Sequence, residues 1–332
     1  MVLPVCFLTG ASGFVGANLA PMLAQRWRVR CLVRPGQPLP QLAGIEHERV
    51  EGSLEDDRAL ARGSTGADIV VHLAAIVSFR REDRPAMQRV NVDATARLCA
   101  LAREHGVRRL LHMSTISAIG YSDERVELDE RTPYNFGPLR IGYCDTKYAA
   151  EQKVLAEVAR GLDAVVVNPP SMYGAGDRRK AGGSLMEPLL RGKIWIAPPG
   201  GLNVANVVDV CHGCLQALDR GRRGERYILG GENVTGRDLF GRIARIAGSR
   251  APRRCPPRWL LRALARALRG FEAIAGSHPP LTSEVLALAP RYLWYSSQKA
   301  IEELGYAPGP VDVGIEAALR ELRLQLTPLA DC

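Results

Sequence analysis

Tyr143 and Lys147 stand four residues apart, one turn if the segment is helical, so their side chains face the same way. A free tyrosine, with a pKa of about 10, is too weak an acid to exchange protons near neutrality, and an ammonium beside it favours the phenolate. The pair reads as a proton donor and acceptor for an oxygen whose charge changes during reaction. Far upstream, TGASGFVG (Thr9–Gly16) follows the apolar run Val2–Leu8. Gly10 permits a tight strand-to-helix turn, Gly13 lets the backbone approach a pyrophosphate, and Gly16 lets the helix pack closely, so that phosphates meet the free N–H groups of a helix N-terminus. Each feature alone also fits a plain turn or an ordinary helix surface. Their order along one chain is what points to a nicotinamide dinucleotide held beside an acid/base.

The elements that would position these groups follow a βαβ rhythm. Strands are expected at Leu3–Leu8, Val29–Val33, His47–Val50, Ile69–Leu73, Leu110–Met113 and Ala164–Asn168. Helices are expected at Gly13–Arg26, Met87–His105 and Tyr143–Arg160, the last two ending before Gly106 and Gly161. The fold class is therefore α/β, a Rossmann doubly wound parallel sheet. After Pro169-Pro170 the pattern changes to Gly/Pro-rich turns and short elements. We expect residues 1–170, rejoined by about 204–232, to form the cofactor domain, and 171–203 with 233–332 to form a smaller C-terminal substrate lobe.

The expected second strand ends in Leu32-Val33-Arg34, where an acidic side chain would accept hydrogen bonds from the adenosine ribose of NAD. Here the charge is reversed. A guanidinium pairs with a 2′-phosphate in a forked contact worth about 1.5–3 kcal/mol, so NADP(H) is the expected cofactor, a solvated arginine being the bland reading of Arg34. The other expected cofactor contacts are Thr9, Gly10, Ser12, Gly13, Phe14, Val15 and Gly16 in the turn. Ser53 and Leu54 are placed with the adenine edge, and Leu73, Ala74 and Ala75, the end of the fourth strand, with the sugar–phosphate backbone.

The ordered set TGASGFVG, LVR (Leu32–Arg34), HLAA (His72–Ala75), NVDAT (Asn91–Thr95), STISAIG (Ser114–Gly120), Tyr143 with Lys147, and NPPSMYG (Asn168–Gly174) resembles the extended short-chain dehydrogenase/reductases, in the branch of dihydroflavonol reductases and 3β-hydroxysteroid dehydrogenases. GLNVANVVDV (Gly201–Val210) and GERYILGGENVT (Gly224–Thr235) are similar to bacterial members labelled hopanoid-associated sugar epimerases. The resemblance spans nearly the whole chain. It implies a catalytic set of Tyr143, Lys147 and a carbonyl-orienting hydroxyl, which alignment by Gly120 places on Thr115 rather than Ser114. It also implies that Asn91 supports the site or a proton-relay water, although Asn91 equally suits a helix cap. Pro169 begins the loop at the nicotinamide's amide end, with Ser171 beside it. The departure is Ser53, where relatives carry Asp to hold the adenine amino group.

Net charge is +9 with arginine in excess of lysine, spread without long basic runs, which argues against nucleic-acid binding. Eight scattered cysteines resemble no disulfide framework, and the first apolar stretch is too short for a signal peptide, so a cytoplasmic protein is expected, a homodimer or a monomer. Cys211 and Cys214 lack a second ligand pair and are expected in the core, with no metal site. Arg258–Phe271 reads as an amphipathic helix, with Arg258, Arg262, Arg266 and Arg269 on one side and Leu261, Leu264, Leu268 and Phe271 on another; it is expected to be a lid, a weak membrane-surface contact being the other reading.

The expected substrate is a largely apolar ketone or alcohol of polyketide, lipid, sterol or aryl type. Met186, Trp195, Ile196, Trp259, Leu260, Phe271, Trp294 and Tyr295 are the candidate lining of its pocket, some of them serving as the lobe's own core. Two other readings compete. A nucleotide-sugar epimerase or dehydratase would use the same Tyr/Lys pair and would need cations such as Arg178, Arg179 and Lys180 for a diphosphate. A non-catalytic cofactor sensor commonly lacks that pair.

Overall fold

The computed structural model describes residues 3–177, 186–275 and 281–326. A seven-stranded, all-parallel sheet runs in the order β3-β2-β1-β4-β5-β6-β9, built from β1 (Val5–Thr9), β2 (Arg28–Val33), β3 (His47–Glu51), β4 (Ile69–His72), β5 (Arg109–Met113), β6 (Ala164–Asn168) and β9 (Arg226–Ile228). The central strands are buried on both faces, as continuous runs such as Ala164-Val165-Val166-Val167 require. A smaller sheet pairs β8 (Gly201–Asn206) antiparallel with β10 (Glu232–Thr235) and parallel with β7 (Ser171–Tyr173) and β11 (Tyr292–Leu293).

Helices cover both faces of the large sheet. On one side α1 (Phe14–Ala24) packs with α7 (Val207–Arg220) and α11 (Gln298–Leu304) over a core containing Leu8, Leu19, Val71 and Leu304. Cys211 and Cys214 are buried in this core, and no cluster able to hold a metal occurs among the described residues. On the other side α2 (Asp57–Ser64), α4 (Ala94–Glu104) and α5 (Gly142–Ala159) close a core containing Phe7, Leu60, Leu98 and Val154. A short α3 (Arg84–Met87) runs through a π-helical stretch, Gln88–Asp93, into α4, so the expected single helix carries a bulge at Asn91. Gly106 and Gly161 follow α4 and α5 with φ of +68° and +117°, the left-handed conformations that end those helices.

The smaller layer adds α6 (Met186–Leu190), α8 (Gly236–Ala247), α9 (Arg258–Ala275), α10 (Ser283–Leu288) and α12 (Val311–Leu326). Among the described residues no helix is long and apolar enough to cross a membrane. In the large sheet the strand order reverses between β1 and β4, and the crevice at their carboxyl ends is where an open α/β sheet receives a ligand.

Candidate functional site

The glycine turn opens that crevice. Gly10 has φ +80°, and a Cβ there would lie 2.7 Å from the Ala74 amide nitrogen, so β1 and the end of β4 approach as closely as backbone allows. At Gly16 a Cβ would fall 2.1 Å from the Gly10 carbonyl oxygen, which forces α1 down onto its own turn. Gly13 is different. Its Cβ would meet only the Gly10 oxygen, at 3.2 Å, leaving a clear approach on the outer side. Gly13 caps α1 without a side-chain hydrogen bond, and the first turn carries no acid, so the N–H groups there suit a pyrophosphate. Ser12 is exposed and Phe14 half-buried at this opening, whereas Val15 is packed in the core.

Thr9 is fully buried and acts behind the turn. Its hydroxyl lies 2.7 Å from His72 Nδ1, and His72 Nε2 lies 2.8 Å from Thr95 Oγ1. The Thr95 hydroxyl donates to the Asn91 carbonyl oxygen at 2.7 Å, and the Ala74 amide donates to Thr9 Oγ1. Those two bonds fix the order of protons: His72 carries its hydrogen on Nε2, and Thr9 donates to Nδ1. Burial, with the Lys147 ammonium nearby, pushes the imidazole down to about 3, so it stays neutral. Asn91 is no helix cap. Its side chain accepts from the Ile76 amide at 2.8 Å, donates to the Ile76 carbonyl at 2.9 Å and reaches Thr146 Oγ1 at 3.3 Å, which ties the loop after β4 to α5.

Arg34 projects into solvent directly after β2, touching Gln37 Oε1 at 3.2 Å. It stands on the strand beside the glycine turn, since Leu32 pairs with Thr9. Ser53 is exposed and its hydroxyl accepts from the Glu55 amide, while Leu54 is buried against α2. Leu73, Ala74 and Ala75 lie half-buried at the crevice floor. Exposed cation, uncapped helix end and small residues lie along the carboxyl ends of β2, β1 and β4, groups whose chemistry suits the phosphates and sugars of a dinucleotide.

The chemical groups meet at the ends of β5 and β6. Thr115 follows β5 in extended conformation, and its hydroxyl lies on the side of Tyr143, in the first turn of α5, where it favours the phenolate. It also accepts from the Ser117 amide at 3.2 Å, which holds its rotamer. Ser114 faces the opposite way, against Glu151. Tyr143, Lys147 and Glu151 fall one turn apart on one side of α5, a spacing by which Glu151 could have been read from sequence and was not.

Lys147 is 2% exposed and donates to the Met113 carbonyl at 2.7 Å. Burial lowers its ammonium to about 8 against the attraction of Glu151. Glu151 is itself fully buried, accepting from Asn168 Nδ2 and paired with Arg226 at 3.2 Å, and burial raises its carboxyl. Tyr143 does not sit near neutrality as expected: burial pushes it up to about 12, outweighing the opposite influence of the Thr115 hydroxyl. Phe79 packs edge-on against its ring at 5.8 Å, another neighbour that sequence reasoning missed.

Pro169 is buried after β6 and accepts the Ile116 amide on its carbonyl; Ser171 is exposed at the start of β7. The candidate pocket lining does not form one surface. Met186 and Tyr295 are core residues and Trp294 donates to the Val234 carbonyl, whereas Trp195, Ile196, Trp259, Leu260 and Phe271 face solvent. Arg178, Arg179 and Lys180 lie outside the described residues.

Comparison with known proteins agrees with this geometry. The family model described as the NAD dependent epimerase/dehydratase family matches residues 6–230. Sterol demethylase protein B of Methylococcus capsulatus is 34% identical over 261 residues, covering 78% of this chain and 79% of that protein. The 4-hydroxy-2-methyl-3-oxo-4-farnesyl-3,4-dihydroquinoline-1-oxide ketoreductase of Stigmatella aurantiaca is 31% identical over 308 residues, 91% of each chain. The crystal structure of gox2253 superposes with a TM-score of 0.86 at 34% identity, over 97% of this chain and 98% of that one.

Proposed function

The chain belongs to the NAD dependent epimerase/dehydratase family, as an NAD(P)-dependent oxidoreductase of the extended short-chain dehydrogenase/reductase type, and from that premise we propose that it is an NADPH-dependent ketoreductase acting on a largely apolar carbonyl substrate. The observation that carries this reading is the convergence of Thr115 at the end of β5 with Tyr143 in the first turn of α5, with buried Lys147 one turn further along the same helix. When bound, the cofactor supplies or accepts the hydride.

This chain's residues handle the oxygen. Thr115 orients a carbonyl oxygen by donating to it, and Tyr143 gives its proton to the same oxygen as negative charge develops there. A phenol held at about 12 keeps its proton at physiological pH, which suits reduction. Lys147, anchored on the Met113 carbonyl one helical turn from Tyr143, would hold the cofactor's ribose and supply a cation on the same side of α5. Thr9, His72, Thr95 and Asn91 keep the crevice walls in register without touching the reacting atoms.

Arg34 supports NADP(H), since the end of β2 carries a cation where an NAD site would carry an acid. Phe79, edge-on to the Tyr143 ring, supports an apolar substrate, as do the sterol and farnesylated compounds in the names of the two relatives. A screen of the purified protein with NADPH against cyclic, aryl and long-chain β-keto compounds tests the reading. NADPH absorbance should fall with at least one of these and stay constant with UDP- and dTDP-sugars. Turnover of sugar nucleotides alone would replace it with an epimerase or dehydratase.

A further inference from the structure

The helix α9 is turned inside out. Three of its four arginines face the protein: Arg258 donates to the Pro290 carbonyl at 2.7 Å and lies over the Tyr292 ring, Arg262 pairs with Asp123 at 2.7 Å, and Arg269 donates to the Leu139 carbonyl at 2.7 Å. Leu261, Ala265 and Leu268 pack on Leu286 and Ala287 of α10. What remains outward is apolar. Trp259 is 69% exposed, Leu264 47% and Phe271 54%, separated along the stripe by Ala263, Ala267 and Gly270. Just ahead of the helix, Ile196 pairs with Arg254, and Ile196 and its neighbour Trp195 are 54% and 75% exposed. The rim is cationic, with exposed Lys193, Arg253, Arg254 and Arg266, and residues 250–271 hold seven arginines and no Asp or Glu.

We propose that this face seats the protein on an anionic lipid bilayer, with α9 lying in the plane of the interface. An outward stripe of Trp, Leu and Phe is costly against water, and tryptophans are favoured at headgroup depth. A second copy would cover the stripe only by bringing two arginine-rich rims together, whereas a negatively charged headgroup layer meets the stripe and the rim at once. The contact is interfacial, since α9 neither has the length of apolar sequence for spanning nor leaves its arginines free to cross. Through Arg262 and Arg269 the face is fastened to residues 123–139, the segment that leads into α5 and Tyr143. This inference rests on surface chemistry and stands whether or not the reductase reading holds.

The test is co-sedimentation of the full chain with vesicles of phosphatidylcholine alone or mixed with phosphatidylglycerol. The expected result is partition onto the mixed vesicles only, weakened about tenfold or more by Trp259→Asp with Leu264→Asp, and by Arg253→Glu with Arg266→Glu. Far-UV circular dichroism and NADPH binding should be unchanged in both variants. Should the variants not fold, tryptophan quenching of the wild type by brominated phosphatidylglycerol vesicles decides the matter. Absence of partition and of quenching in the wild type overturns the proposal, and so does partition that Trp259→Asp with Leu264→Asp leaves intact. Lipid-free dimerisation abolished by Leu264→Asp would overturn it in favour of a second copy.

Discussion

The Thr115 hydroxyl faces Tyr143 across the gap between the end of β5 and the first turn of α5 and favours its phenolate. Ser114, its neighbour in sequence, faces Glu151 instead. Alternation along an extended backbone sends consecutive side chains to opposite sides, so only one of the two hydroxyls can share a carbonyl oxygen with the tyrosine.

Thr115→Ala should therefore lower kcat by about tenfold or more with little change in NADPH binding, and Ser114→Ala should lower it much less. Tyr143→Phe should lose at least about two decades of turnover while retaining the cofactor. Steady-state kinetics of the three variants, with cofactor titration by fluorescence, checks the order; equal losses for Ser114→Ala and Thr115→Ala would remove the geometric distinction.

Arg34→Asp should reverse the cofactor preference. The guanidinium contact with a 2′-phosphate is worth about 1.5–3 kcal/mol, so losing it costs NADPH affinity about one to two decades, and a carboxylate there restores the ribose contact of an NAD site. Binding of NADPH and NADH is measured for both proteins. A wild type that binds NADH as tightly as NADPH removes Arg34 from the role.

Much of this site was legible because its residues sit where a strand or helix period fixes their direction. Each of the six expected strands lies within two residues of an observed one, and the Tyr143–Lys147 spacing survives because α5 is an uninterrupted helix. What was not legible depends on tertiary packing. The arginines of α9 are expected on a different side from the leucines, yet Arg258, Arg262 and Arg269 face inward because Asp123 and the carbonyls of Leu139 and Pro290 wait there, which no helical period reveals. The phenol of Tyr143 was expected near neutrality from its lysine alone, but burial, a property of the assembled fold, dominates. The buried Thr9–His72–Thr95 network likewise joins three elements and has no local signature.

His112 offers a stability test. It pairs with His72 across β4 and β5, with ring centroids 5.3 Å apart, and neither of its ring nitrogens has a hydrogen-bond partner among the described residues. Burial, with Lys147 and His72 adding to it, holds its pKa well below the usual value. An unpartnered buried polar group costs about 1–3 kcal/mol, so His112→Leu should raise stability to urea. The unfolded chain binds a proton at His112 below about pH 6.5 while the native state does not, so the wild type loses further ground as pH falls through that value. The gain should be larger at pH 5 than at pH 7.5. A gain that is absent, or that shrinks on acidification, contradicts this account.

Lys147→Met should separate activity from stability. Turnover should collapse, because the cation one turn from Tyr143 on α5, the group proposed to hold the cofactor's ribose, is gone. Stability should move the other way, since the native state buries an ammonium whose pKa is lowered to about 8 from the usual 10.5. Below pH 8 lysine is charged in both folded and unfolded chains, and the native state carries the whole cost of that burial, on the order of 3 kcal/mol. Between about 8 and 10.5 the native state releases its proton while the unfolded chain keeps it, so wild-type stability climbs with pH relative to the variant. Urea unfolding of both proteins from pH 7 to 10.5 should show the variant ahead at pH 7 and the gap closing as pH rises; a gap independent of pH would mean that Lys147 carries no such burial cost.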